Sequence, residues 1–155
     1  MAYLPEVFDS AVEANRSRVA LIEETNQWTF EKLSDEVNRV AAVLKEKVKG
    51  DTVGILLLNS QKYIVTMLAI WKAGKTAVPL NYLLPPADLG FIIKDSGMSA
   101  LVSSQFFGQA LSAIKPLFGD TGVILMADDA DFATASAASV TSSYRDPALY
   151  LYTSG

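Results

Sequence analysis

Thr52-Val53-Gly54-Ile55-Leu56-Leu57-Leu58 is an almost uninterrupted apolar run. A strand with one wet face alternates apolar and polar residues; a strand covered on both faces does not, and such strands belong to parallel sheets. Asn59-Ser60 follows at once, and side chains of this kind cap the amino end of a helix. The expected helix is Gln61 to Lys72, packing Ile64, Met67, Leu68 and Trp71. Ala73-Gly74-Lys75 closes it, and Thr76-Ala77-Val78-Pro79-Leu80 forms the next strand. Pro79 donates no backbone N–H, so that strand ends there or sits at an edge.

The same alternation extends in both directions. Leu4 to Val12 reads as a short amphipathic helix, then Val19–Glu23 and Gln27–Thr29 as strands of a hairpin turning at Glu24-Thr25-Asn26. Thr29 caps a helix from Phe30 to Val48. Leu33, Val37, Val40, Ala41 and Leu44 form its buried stripe, while residues including Glu31 and Glu36 face water. Gly50 suits a left-handed cap after it. Downstream, Pro86 opens a helix over Ala87–Ser96, and Ala100–Ser103 is a strand. Gln105–Phe118 is helical with a break at Pro116, and Gly122–Met126 is a further strand. The fold class is α/β: a mainly parallel sheet flanked by helices, with an N-terminal β-hairpin.

Residues 127–146 differ in kind. They are small, polar and aperiodic, and read as a flexible surface loop or linker. Asp128, Asp129 and Asp131 invite a calcium reading, but the central Gly and distal Glu of an EF-hand are absent, and no metal site is expected.

Composition narrows the function. Half of the 155 residues are hydrophobic, which fits buried parallel strands or a surface that meets more protein. The apolar runs fall far short of the roughly 20 residues of a membrane helix, and the N-terminus lacks the pattern of a signal peptide. There is no Cys and no His, so thiolate chemistry and the commonest general base are excluded. A cytoplasmic setting follows as the expectation. The net charge is −4 without a basic cluster, which argues against a nucleic-acid partner.

At the C-terminal end, Ala148-Leu149-Tyr150-Leu151-Tyr152 runs as a strand into Thr153-Ser154-Gly155. Hydroxyls and glycine directly after a strand suit a loop that grips phosphate, because glycine lets the backbone approach the anion. Thr-Ser-Gly is also ordinary turn chemistry.

Three segments taken together carry a resemblance. They are Trp28-Thr29-Phe30-Glu31-Lys32-Leu33, the stretch from Ile70 through Lys72-Ala73-Gly74 to Asn81, and Asp146-Pro147 through Thr153-Ser154-Gly155. With Asp51–Ser60 and Asp95-Ser96-Gly97, they resemble the adenylate-forming superfamily of acyl-CoA synthetases, luciferases and peptide-synthetase adenylation domains, over roughly Leu21 to Gly155. Within it the chain looks most like a fatty-acid or related acyl-CoA ligase. Asn81 tilts toward that branch, since peptide-synthetase domains usually carry Asp there.

The resemblance implies that residues 1–155 are the N-terminal portion of the AMP-binding domain, without its C-terminal domain. Thr153, Ser154 and Gly155 would start the ATP phosphate loop, with Tyr152 anchoring the strand end. The other blocks read as structure: Trp28 to Leu33 as hairpin-to-helix packing, Lys72-Ala73-Gly74 as a helix end, and Lys72 and Lys75 as solvated. The parent would use ATP, Mg²⁺ and coenzyme A to convert a carboxylic acid, a fatty acid on this reading, into its thioester through an acyl-adenylate. No catalytic or metal-binding residue is expected within the chain, so alone it would be inactive, bind ATP weakly and tend to self-associate. An aryl- or amino-acid-activating enzyme, and a non-catalytic α/β interaction module, are the alternatives.

Overall fold

A computed structural model describes residues 3–120, 122–128, 130–141 and 146–153. Helix α1 (Leu4–Asn15) precedes a hairpin of β1 (Val19–Glu23) and β2 (Asn26–Thr29). The hairpin closes through Glu24, whose φ of 52° is the left-handed conformation its tight turn requires. Helix α2 (Phe30–Lys47) starts where the Thr29 hydroxyl accepts from the Lys32 N–H at 3.2 Å. Strand β3 (Thr52–Leu56) then feeds α3 (Gln61–Lys72), capped by the Ser60 hydroxyl, which accepts from the Tyr63 N–H. Next come β4 (Thr76–Pro79), α4 (Pro86–Asp95) and β5 (Ala100–Ser103). A 3₁₀ turn, α5 (Gly108–Ile114) and a second 3₁₀ turn at Lys115–Phe118 lead to β6 (Val123–Met126) and α6 (Ala130–Thr134).

The sheet order is β4-β3-β5-β6, and every pairing in it is parallel. All five residues of β3 are buried, as expected of a central strand covered on both faces. Its side chains divide the core in two. Val53, Ile55 and Leu57 point to the face carrying α2 and α3, and Leu56 to the face carrying α4 and α5. Pro79 does end β4, whose outer edge is taken up by the chain's last described segment, below.

Several sequence expectations change in three dimensions. Helix α3 buries Val65, Thr66, Ala69 and Ile70 rather than the expected stripe; Ile64 is 40% exposed, and Met67, Leu68 and Trp71 are only partly covered. The helix is apolar on nearly every side, so periodicity alone does not choose a face, and the slim side of Val65 and Ala69 is the one seated closest. Lys72 and Lys75 are not solvated. Lys72 is 2% exposed and its ammonium meets Asp9 Oδ1 of α1 at 2.5 Å. Lys75 is buried and donates to the carbonyls of Val48 at 2.9 Å and Gly50 at 2.6 Å. Gly50 is not a left-handed cap: the helix ends at Val48, and Gly50 is small because a Cβ there would lie 2.2 Å from Ser99 Oγ. Glu36 is half-buried, accepting from Trp28 Nε1 at 3.2 Å and from the Gln61 amide.

The stretch expected as a surface linker carries α6, whose Phe132 joins the core against α2 and α3. Asn38 Oδ1 accepts from the Val140 N–H at 3.3 Å, and Lys45 donates to the Thr141 carbonyl at 2.8 Å. Phe132 and Val140 stand far apart among many Ala, Ser and Asp and leave no period to read.

Candidate functional site

The expected strand over Ala148–Tyr152 is an extended segment joined to the open edge of β4 by a single parallel bridge, because only Ala77 pairs with it. Pro147 follows a cis peptide bond, and its carbonyl accepts from the Thr76 hydroxyl at 2.7 Å. The Ala148 carbonyl accepts twice, from the Ala77 N–H at 3.0 Å and from Trp71 Nε1 at 2.8 Å. The Tyr150 N–H then donates to the Ala77 carbonyl at 3.0 Å, which completes a parallel bridge between Ala77 and Leu149. The segment thus runs in the same direction as every strand of the sheet.

Side chains lock it across both faces. Leu149 packs with the α2–α3 core and Tyr152 with the α4–α5 core. The Tyr152 hydroxyl donates to Asp95 Oδ2 at 2.7 Å, tying the segment to the last residue of α4. Burial, then the hydrogen bond and charge of Asp95, push the Tyr152 phenol up to about 12. The expected anchoring role of Tyr152 thus has a named partner.

Thr153 follows directly and is exposed. Ser154 and Gly155 lie outside the described residues. In open α/β sheets, ligands bind beyond the carboxyl ends of the strands. Thr153 stands at that end of the sheet. The ammonium groups of Lys72 and Lys75 cannot join it, because both are engaged inside the fold.

The other motif blocks are structural. Thr29 caps α2, while the Lys32 ammonium stands 5.2 Å from the Trp28 ring centre. Gly74, at φ 72°, turns the chain from α3 into β4. Asn81 is exposed, and its Oδ1 accepts from the Leu83 N–H at 3.0 Å, a turn that Asp would form equally well. Of the three acids after β6, Asp128 pairs with Lys62, and Asp129 and the Asp131 side chain lie outside the described residues. Among the described residues no group of three His, Cys, Asp or Glu is arranged to hold a metal ion, and no helix is long and apolar enough to cross a membrane.

Known proteins share this fold. Residues 8–155 match the model of a family described as AMP-binding enzyme. Gramicidin S synthase 2 of Brevibacillus brevis is 29% identical over 97% of the chain, and the chain spans 3% of that protein. A medium/long-chain-fatty-acid–CoA/3-oxocholest-4-en-26-oate–CoA ligase of Mycolicibacterium smegmatis is 30% identical over 81% of the chain, which spans 23% of it. The inhibitor-bound N-terminal domain of FACL13 from Mycobacterium tuberculosis superposes over the whole chain with a TM-score of 0.89 at 25% identity, and the chain spans 42% of that structure. The chain is therefore short beside the relatives it matches. With that match running from α1 through the segment that carries Thr153, the chain belongs to the AMP-binding enzyme family, the adenylate-forming enzymes.

Proposed function

We propose that the chain is the N-terminal part of the adenylating domain of an acyl-CoA ligase, and that Thr153, Ser154 and Gly155 begin the loop that holds the ATP β- and γ-phosphates. The observation that supports it is the parallel seating of residues 148–150 on β4, which delivers the Thr153 hydroxyl at the carboxyl end of the sheet. In the proposed reaction a carboxylate oxygen attacks the ATP α-phosphorus, and the bond to pyrophosphate breaks. The coenzyme A sulfur then attacks the acyl carbon and AMP leaves. The first step brings two anions together, so charge on the phosphates must be offset by Mg²⁺ and oriented donors. This chain supplies donors at the loop's start. By itself it catalyses nothing, on this proposal.

A second reading has a specific relative behind it: the likeness to gramicidin S synthase 2 is as strong as that to the fatty-acid ligase. The acid would then be an amino or aryl acid. Asn81 favours the acyl-CoA branch only through family resemblance, since its turn would serve Asp as well.

The test is pyrophosphate exchange into ATP by a protein that contains this chain and extends past Gly155, run with fatty, aryl and amino acids in turn. Fatty-acid-dependent exchange followed by coenzyme A thioester formation is the expected result. Exchange only with amino or aryl acids would move the assignment to the second reading, and no exchange with any acid would refute both. Thr153→Val in that protein should lower kcat/KM for ATP about 10-fold or more, the worth of one hydrogen bond to a charged group.

A further inference from the structure

Between α2, α3, α6 and the carboxyl ends of β5 and β6 lies a cavity of about 300 Å³ that has no part in the phosphate-loop proposal. Val40, Val65, Val102 and Phe132 wall it. Its position follows from the sheet order. Strands β3 and β5 are neighbours, yet the chain leaves β3 for α3 on one face and leaves β5 for α5 on the other. Such a switch opens a crevice beyond the strand ends, where α/β folds accept small ligands. The cavity lies there, against the first turn of α3.

Two buried polar atoms of its lining, the Thr66 hydroxyl and Gln61 Oε1, have no partner among the described residues. Thr66 is 2% exposed, and its hydroxyl makes no hydrogen bond among the described residues. Gln61 is 8% exposed; its Nε2 donates to Glu36, which leaves its Oε1 with no donor among the described residues. Buried polar groups in native folds are almost always satisfied, so two orphans lining one cavity point to a molecule that completes them. The charges of the lining are already engaged. Glu36 accepts from Trp28 and Gln61, and Lys62 pairs with Asp128. Among the described residues, no cation of the lining is left over for an anionic ligand, and both oxygens of the Glu36 carboxylate already accept a hydrogen bond.

We propose that this cavity binds a small neutral molecule, an apolar body with one hydroxyl group that exchanges hydrogen bonds with Thr66 and Gln61. At the roughly 30 Å³ that one molecule takes in liquid water, the space takes about ten heavy atoms. The occupant is thus a small aryl or aliphatic alcohol.

p-Cresol and toluene are matched probes that differ by the hydroxyl. Each is titrated into the isotope-labelled chain, with the backbone resonances of Val65, Val102 and Phe132 followed by NMR. p-Cresol should shift them saturably and bind about fivefold tighter than toluene, the worth of one net hydrogen bond. Thr66→Val is nearly isosteric and should lower that preference to what Gln61 alone supplies, while toluene binding stays unchanged. Val40→Phe fills the cavity and should abolish binding of both. A variant that fails to fold, seen by circular dichroism, leaves the decision to Thr66→Val. Absence of saturable shifts at these residues in the parent chain, or a p-cresol preference that Thr66→Val leaves at its full size, would overturn the proposal.

Discussion

Replacing Asp9 by Ala strands the Lys72 ammonium inside the fold. The Lys72 side chain is 3% exposed and that of Asp9 38%, with 2.5 Å between their charged atoms. At an effective dielectric of about 20, Coulomb attraction at that distance is roughly 7 kcal/mol, and desolvation of the ammonium cancels several kcal/mol of it. The intact pair is therefore worth little, whereas removing one partner leaves the desolvation unbalanced. Deletion from a fully buried pair costs about 3–5 kcal/mol. Water reaches the Asp9 side, so Asp9→Ala should cost less than that range, about 2–3 kcal/mol. Lys72→Met keeps the volume and removes the charge, and should lie within about 1 kcal/mol of the parent. The double variant should return most of the loss, which separates the stranded charge from any other contact of Asp9. Urea unfolding at neutral pH reads all three, provided the denaturant slope stays constant. Asp9→Ala within about 0.5 kcal/mol of the parent, an ordinary surface value, would refute the reasoning. So would Lys72→Met proving the more damaging change.

Gly50→Ala should cost about 1–3 kcal/mol through overpacking, because the new Cβ would lie 2.2 Å from Ser99 Oγ and 2.6 Å from Ser99 Cβ. Adding Ser99→Gly should restore stability in thermal unfolding; persistence of the loss would mean that backbone conformation, not contact, fixes Gly50. In an ultraviolet absorbance titration, the Tyr152 phenol should ionise near its raised value of about 12, well after an exposed tyrosine. A raised folded value means that the stabilisation from the protonated phenol is complete below about pH 10 and lost as pH climbs through about 12. Tyr152→Phe should remove that late step; a late step that remains unchanged would belong to another phenol, such as Tyr63, which burial also raises. Phe91, Phe106 and Leu117, on or beside α4 and α5, are 64%, 71% and 52% exposed. The chain alone should therefore self-associate, and a sedimentation coefficient that stays monomeric at high concentration would count against this.

The sequence was most legible where a residue's role is local. The unbroken apolar run of β3 declared a parallel sheet, and Thr29 and Ser60 cap the helices they precede. Legibility failed where the deciding partner is remote. Lys72 reads as solvated because Asp9 stands 63 positions away, and Gly50 reads as a cap because Ser99 cannot be seen beside it. Helix α3 offered an apolar residue on almost every side, so only the sheet could choose its buried face. At the candidate site, the extended run and the anchoring Tyr152 were readable, but its single bridge to Ala77 and the pairing of Tyr152 with Asp95, 57 positions away, were not. The Thr66 cavity left no sequence signal, because a threonine in an apolar helix looks the same whether or not its hydroxyl is satisfied.

The seating of residues 148–150 on β4 has a second consequence. An unpaired outer strand is a template on which another chain can add by backbone hydrogen bonding, and natural sheets guard against this. Here the guard is the segment that delivers Thr153, held by two backbone hydrogen bonds at Ala77 and two side-chain donors, Trp71 and Thr76. Its attachment closes a loop of some 70 residues onto the sheet edge. Changes such as Thr76→Val that loosen it should therefore do two kinds of harm at once. They would misplace the Thr153 hydroxyl and uncover a sticky margin, so solubility and nucleotide handling would decline together.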